Sequence, residues 1–480
     1  MKKYTDIKTA WTGGLDRMSR PQAVVFIDNV LVLLLARRAS YAQDLGYRTY
    51  LIAPPMLEAH TEAMAQYEQT ERDGRPTYDQ IFPTEHFDID TLRTLLAEIE
   101  QEADIKGLVV GNGPFCKDGL VGAHVATLAE ERGLPSQNAE ALYLCGNKYL
   151  MRDSFRADGL NTIDFGLAVD EASLLTHASR IGYPVLMKPI NGVASHLILK
   201  SNNEAELLGN FRLAMEKLPG SAFQDFYQGV HAFPNRQGEL MHFDPMRCML
   251  LEQYIPGREV SIEMLITEDR CIPLLVHDKV DISEDARCVY ENLAIVPPVR
   301  FTQEECNALE ACAVQAVQAV GLKNTVAHVE LRYGENGLGP QVLEINPRMG
   351  GAYIMESLKT MVGVDHNTTH VELMTGTFQP KATYDVLPEL HAMMVLYAPH
   401  GGLFQAIDGI EECQALPSVL KTMQPFPVGH IIHGDDEEVS LLLIWMKGDS
   451  AQQIAETGQK IREIVTFKID PSDQANQPVT

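Results

Sequence analysis

The run Glu344-Ile345-Asn346-Pro347-Arg348-Met349-Gly350-Gly351 brings a carboxylate, an amide and a guanidinium close together. The residues before Pro347, Val342 to Asn346, read as a strand, and alternate residues on a strand share a face. Glu344 and Asn346 therefore point one way, and Leu343 and Ile345 point the other way into a core. Pro347 ends the strand because it has no N–H for a ladder. Gly350 and Gly351 permit backbone angles or close approaches that other residues resist. Carboxylate and amide oxygens on one face suit a hard cation such as Mg²⁺, which also binds phosphate oxygens. The adjacent Arg348 suits a carboxylate or a phosphate. A strand end with a surface ion pair is the plain alternative.

Other chemistry-bearing residues fall in a fixed order. Lys148 opens a helix. Lys188 ends a strand just before the small-residue turn Asn191-Gly192-Val193-Ala194-Ser195. Glu252-Gln253-Tyr254-Ile255-Pro256-Gly257-Arg258-Glu259 follows, and then Glu330 on a further strand. A hairpin between the strands carrying Glu330 and Glu344 would place Glu330, Glu344 and Asn346 on one face. Each feature alone reads as ordinary surface chemistry; their order and spacing together are specific.

These side chains must be positioned by a large molecule. With 480 residues the chain exceeds one ordinary core, and about two to four domains are expected. The hydrophobic fraction is 45% and the charged fraction 22%, as in folded proteins. Lys and Arg number 39 and Asp and Glu 65, a net charge of −26. That balance argues against binding to nucleic acid and to anionic membranes. The eight cysteines are scattered, without a CxxC pair or zinc spacing. Reduced thiols in a cytoplasmic protein are the simplest reading. Met1 to Asp6 lacks an apolar signal core, and the run Val30 to Ala36 is too short to span a bilayer.

Before residue 140, short apolar runs at 23–27, 48–53 and 107–110 alternate with helical patterns near 36–45 and 121–132. That alternation predicts an α/β domain with a parallel sheet covered by helices. No GxGxxG follows the first strand, so the dinucleotide fingerprint is absent. In the middle of the chain, strands are predicted at 183–189, 196–200, 247–254, 259–266, 274–280, 325–332 and 341–345, with a helix at 302–320. Residues 219–247 show no period and read as a long loop. Further strands, including 428–433 and 439–445, and a helix at 452–465 complete the chain.

The ordered set resembles the ATP-grasp superfamily of carboxylate–amine ligases, and within it the L-amino acid ligase group, whose members make dipeptides and related amides. The resemblance runs from about residue 20 to 470 and is strongest over 145–352. It rests on the Lys-Pro strand with its glycine/serine turn, the E-x-Y-I-x-G-x-E stretch and the E-I-N-P-R-M-G-G ending. It implies an α/β (α+β overall) chain in three parts: an N-terminal α/β domain at 1–140, an ATP-grasp module at 141–378 with a mobile lid lobe at about 181–255, and a C-terminal domain at 379–480.

The resemblance also implies roles. Lys148 and Lys188 would contact ATP phosphates, and Gly192 and Ser195 belong to a flexible loop closing over them. Glu252, Tyr254 and Ile255 lie on the strand beside adenine, and Glu259 would take the ribose hydroxyls. Glu330, Glu344 and Asn346 would ligate two Mg²⁺ ions, with Mn²⁺ as a substitute. Arg348 would hold the substrate carboxylate and the charge of the intermediate. Lys279, Arg332, Gly350 and Gly351 stand where substrate or phosphate contacts could form. The implied reaction is ATP-dependent amide formation from a small-molecule carboxylate, an amino acid, and an amine, through an acyl phosphate with release of ADP and phosphate. Loading of a carrier protein or antibiotic precursor, and a non-catalytic nucleotide-binding regulator, are the alternatives. A homodimer is the assembly found among relatives. One departure stands out. Several dipeptide-forming relatives carry a histidine shortly before the proline that follows the acid at Glu291, whereas here Glu291 to Pro298 contains none. The pocket for the electrophile is therefore expected to differ.

Overall fold

The first apolar runs are buried on both faces because helices cover both sides of a parallel sheet. Its strand order is Gln80–Pro83, Arg48–Ala53, Gln22–Ile27, Asp104–Val110. All four run parallel, and Ala23 to Ile27 are wholly buried. The helices around it are Val32–Asp44, Glu58–Glu71, Ile89–Ile99 and Val121–Glu131. Two of these, Glu58–Glu71 and Ile89–Ile99, are absent from the sequence reading. The second starts at an N-cap, Asp88, whose carboxylate accepts from the N–H groups of Asp90 and Thr91, a local signal that was legible. The computed structural model describes residues 20–28, 32–111, 115–116, 118–160, 163–192, 196–221, 224–234, 240–284, 289–432 and 438–471.

A small antiparallel sheet follows, in the order Phe165–Ala168, Met249–Gln253, Val185–Pro189, Leu199–Ser201. Helices Glu171–Ile181 and Glu204–Lys217 share its core through Leu174, Leu207 and Phe211. The strand expected at 196–200 forms only at Leu199–Ser201. Residues 219–247 are not simply a loop. They include the 3-10 turn Gln224–Tyr227 and an antiparallel pair, His231–Pro234 with Leu240–Phe243. Tyr227 and Phe243 are fully buried, so this excursion is anchored by single large side chains, which leave no periodic pattern in a sequence.

The main sheet has eight strands, in the order Gly339–Asn346, Thr325–Gly334, Gly257–Ile266, Cys271–Glu284, Val289–Val296, Leu390–Tyr397, Ser440–Gly448, Val419–Met423. Every pairing in it is antiparallel. The sheet joins strands from both sides of position 379, where two domains are expected to divide: Val289–Val296 pairs directly with Leu390–Tyr397. Strand alternation gives it two different faces. Val260, Ile262, Met264, Ala327, Val329 and Leu331 pack with Leu309 and Val317 of helix Gln303–Val320 in one core. Glu259, Ser261, Glu263, His328, Glu330 and Arg332 lie on the opposite face. That helix opens with a capping box between Thr302 and Glu305, as its S/T-x-x-E start predicts.

At the far end, Ile431–Ile432, Gly402–Asp408 and Thr466–Asp470 form a three-stranded sheet, and helix Ala451–Ile464 packs on Ser440–Gly448. Of the strand expected at 428–433, Ile431–Ile432 forms, and position 433 lies outside the described residues. Among the described residues no helix is long and apolar enough to cross a membrane.

Candidate active site

The hairpin Thr325–Gly334/Gly339–Asn346 sets the site. Glu330 pairs directly with Glu344, and His328 with Asn346. A register shift at Glu330/Leu331 leaves Leu343 as an extra residue, since Leu331 pairs with Val342. This bulge corrects the expected alternation. Val342 and Ile345 enter the core, while Leu343 is only half-buried. A bulge re-aims side chains in this way, and here it keeps Glu344 beside Glu330.

Lysines reach this hairpin from other elements. Asn147 caps helix Lys148–Ala157 by accepting from Tyr149 N and Leu150 N. Lys148 Nζ lies 3.1 Å from Glu344 Oε1 and donates to Gly192 O at 3.3 Å. Lys188 Nζ is 2.6 Å from Glu252 Oε1, and Arg152 Nε donates to Glu252 Oε2 at 2.9 Å. Burial lowers the Lys188 pKa, and Glu252 opposes that shift. Burial alone would raise Glu252, but Arg152 and Lys188 outweigh it and hold the carboxyl at about 2. Arg152 is one turn along the helix from Lys148, a spacing that places both on one face and could have flagged it.

Lys148, Lys188, Gly192, Glu330, Glu344, Asn346, Arg348 and Gly351 line one cleft of about 280 Å³. His196, His328, Glu291 and Glu438 also line it, and none of them was among the expected site residues. His196 Nδ1 lies 2.8 Å from Tyr227 Oη, so the excursion after residue 218 buttresses the cleft wall. Glu252, Tyr254, Ile255, Glu259, Lys279, Arg332 and Gly350 do not line it, and Ser195 lies outside the described residues. A wider hollow of about 740 Å³ lies elsewhere, bordered by Pro135, Glu268, Lys323 and Phe378. None of the expected site residues borders it, so size alone does not mark the chemistry.

Beside the cleft, Lys279 Nζ lies 2.7 Å from Glu259 Oε1, 2.5 Å from Glu291 Oε1 and 3.3 Å from Glu330 Oε2. Burial would lower its pKa, but the three acids raise it well above the ordinary lysine value. Arg332 Nε donates to Glu259 Oε2 at 2.7 Å, and its Nη1 donates to Ile255 O at 3.0 Å. Arg332 is thus a partner of Glu259 and not a wall of the cleft. His328 Nδ1 contacts the buried Glu263, and its Nε2 lies 3.5 Å from Glu330 Oε1. Burial opposes protonation of His328, yet Glu263 and Glu330 push its pKa up to about 10. Gly350 explains itself here. A Cβ on it would come within 2.6 Å of His328 Nδ1, and its N–H donates to Glu263 Oε2 at 3.3 Å.

The donors facing the cleft from the hairpin are carboxylate and amide oxygens, the set that suits Mg²⁺ or Mn²⁺. Carboxylates of Glu259, Glu291 and Glu330 also approach within 4.8 Å of one another. A chain of net charge −26 thus gathers cations and acids together, as a site for phosphate and metal requires.

The ATP-grasp domain family matches residues 181–356. Carnosine synthase 1 of Gallus gallus is 29% identical over 171 residues, 34% of this chain. The match spans only 18% of the chicken protein's length. An uncharacterized protein of Sinorhizobium fredii, y4rH, is 21% identical over 422 residues, covering 87% of this chain and 79% of that protein. Among solved structures, an L-amino acid ligase from Bacillus licheniformis superposes with a TM-score of 0.70 at 19% identity, covering 94% of this chain and all of the other. With that fold and the lysine, arginine and acid set in one cleft, residues 181–356 form an ATP-grasp domain.

Proposed function

We propose that this protein is an ATP-dependent ligase that joins the carboxylate of an amino acid to an amine and releases ADP and phosphate. The observation that carries the proposal is the single cleft that collects Lys148, Lys188, Glu330, Glu344, Asn346 and Arg348. A pure nucleotide sensor has no need of an arginine beside the metal-type oxygens. A carboxylate is a poor electrophile because an amine would have to expel oxide. In the proposed reaction its oxygen attacks the γ-phosphorus of ATP, ADP leaves, and an acyl phosphate forms. The amine nitrogen then attacks the acyl carbon, the C–O bond to phosphate breaks, and the amine gives up a proton.

The protein's part is positioning and charge stabilisation. Lys148 and Lys188 neutralise phosphate oxygens. Arg348 grips the carboxylate and then stabilises charge at the acyl centre. Glu330, Glu344 and Asn346 would hold Mg²⁺, which supplies charge neutralisation on the phosphates. Lys148 rests on Glu344 and Lys279 on Glu330; burial would raise the Glu330 carboxyl, but Lys279 and His328 hold it well below the usual carboxylate range.

The test is ADP release from ATP and Mg²⁺ across a panel of carboxylates, with hydroxylamine as a general amine trap. Hydroxamate formation that depends on one carboxylate class is the expected result. ADP release without any hydroxamate, or no turnover with any acid, would refute ligation.

A further inference from the structure

Two sheets meet on one side chain. Arg152 is 1% exposed and extends from helix Lys148–Ala157. On one side its Nε donates to Glu252 Oε2 at 2.9 Å, and its Nη2 lies 3.4 Å from Glu252 Oε1. Glu252 belongs to the small antiparallel sheet. On the other side Nη1 donates to Val342 O, and Nη2 donates to Leu343 O at 3.3 Å. These carbonyls belong to the bulged strand of the main sheet. Successive carbonyls of a regular strand point to opposite edges; at the bulge one guanidinium takes both. The planar fork of an arginine suits such a grip, and the grip holds the guanidinium against Glu252.

The charges around Glu252 do not balance. Lys188 pairs with Leu250, and Leu186 pairs with Glu252, so Lys188 and Glu252 are diagonal neighbours on one face. Lys188 Nζ sits 2.6 Å from Glu252 Oε1, on the carboxylate that Arg152 already holds. Two buried cations thus share one buried acid. An uncompensated buried charge is costly, so this group favours an anion where it meets the cleft. Of the three residues, Lys188 is the one that lines the cleft. Without Arg152, Lys188 and Glu252 would be a closed neutral pair. The lysine could then meet a phosphate only by leaving a buried acid alone, and a lone buried acid is strongly destabilising. With Arg152 in place, Glu252 keeps a partner whichever way the ammonium turns.

We infer that Arg152 is a positioning residue for phosphate binding: it holds Glu252, and so lets the Lys188 ammonium turn toward a nucleotide phosphate without stranding a buried acid. This inference rests on the proposed use of the cleft for ATP. It gives the bulge a second duty, since the carbonyls exposed there fix the guanidinium that keeps Lys188 responsive.

The experiment measures dissociation constants for ATP with Mg²⁺, and for adenosine, by calorimetry on the full-length protein. In Arg152→Met the constant for ATP should rise by about 10-fold or more, the scale of one charge-assisted hydrogen bond, while that for adenosine stays unchanged. Adding Glu252→Gln to Arg152→Met removes the acid that captures the lysine and should restore most of the lost affinity. Arg152→Lys keeps a cation on Glu252 but has no fork for the two carbonyls. It should regain most of the ATP affinity lost in Arg152→Met while its urea midpoint still falls. A merely structural arginine would weaken ATP and adenosine together and make the double variant no better than the single one; either result would overturn the inference. If Arg152→Met does not fold, Arg152→Lys decides, and loss of its ATP affinity would overturn the inference as well. ATP binding with no hydroxamate from any acid would refute ligation and leave the role of Arg152 standing. No ATP binding by the unaltered protein would remove both.

Discussion

Lys188 is the residue whose two possible duties are now in direct competition. It is 4% exposed and tied to Glu252, yet it also lines the cleft with Glu330, Glu344 and Arg348. Lys188→Met keeps the apolar stem and leaves Glu252 with Arg152 alone. We expect a loss of about 1–3 kcal/mol in nucleotide-free stability, read by urea denaturation, together with a large fall in ATP affinity. Normal ATP affinity in a destabilised variant would make the lysine purely structural. Arg348 lines the same cleft, its Nη1 donating to Met349 O at 2.8 Å. Arg348→Lys keeps the charge and loses the fork that grips a carboxylate bidentately. Loss of a hydrogen bond made in the transition state costs roughly 2–4 kcal/mol, about 30- to 1,000-fold in rate. ATP affinity should change far less, because its phosphates keep both lysines. Measuring rate and ATP dissociation constant on one preparation separates the outcomes: parallel collapse would make Arg348 a nucleotide ligand.

At the scale of elements, the hairpin was the most legible feature. Its two strands alternate cleanly around a glycine-rich turn, so Glu330, Glu344 and Asn346 could be placed on one face from the sequence. The bulge at Leu343 was not legible, because one extra residue leaves no compositional mark. His328 was within reach, two residues before Glu330 on the same face, but a lone histidine on a strand gives no sign of a partner 65 residues earlier. Gly350 links these facts. Gly350→Ala forces a Cβ to within 2.6 Å of His328 Nδ1, so the ring or the turn must move. Such overpacking costs about 1–3 kcal/mol, and because the turn carries Arg348 and Gly351 the rate should fall as well. Unchanged thermal stability and rate in this variant would show that the ring has room to yield.

At the scale of the molecule, the histidines predict a pH dependence. His277 is wholly buried, with Nε2 2.8 Å from Ser357 Oγ. Burial, only partly opposed by Glu263, lowers its pKa to about 4. His366 and His370 lie beside the buried Arg38, and burial first, then that arginine, pushes both well below the ordinary value. All three are neutral when folded and can protonate when unfolded. Below pH ~6.5 the unfolded chain therefore binds more protons, and stability falls as pH drops toward 4. For His277 alone, a shift from about 6.5 to about 4 corresponds to at most about 3 kcal/mol. His328, raised above 6.5, is charged in the fold throughout, while its unfolded ring gains a proton only as pH falls through about 6.5, so it slightly opposes the decline between pH 7 and 6 and contributes little below that. Urea midpoints at pH 7, 6 and 5 should decline steadily; a flat series would mean that these rings are solvated or charged in the fold. The remote polar clusters behind this effect were invisible in the sequence, since Arg38 and His366 are brought together only by tertiary packing.

The eight-stranded sheet also limits how the gene could be shortened. A fragment ending at residue 378 would keep every lysine, acid and arginine that lines the cleft except Glu438. It would also strip Leu390–Tyr397 from Val289–Val296 and leave that strand with a bare row of N–H and C=O groups. Unpaired edges of this kind recruit strands from neighbouring chains. The fragment should therefore form sedimenting aggregates on expression instead of a smaller working enzyme, a difference that size-exclusion chromatography would reveal at once.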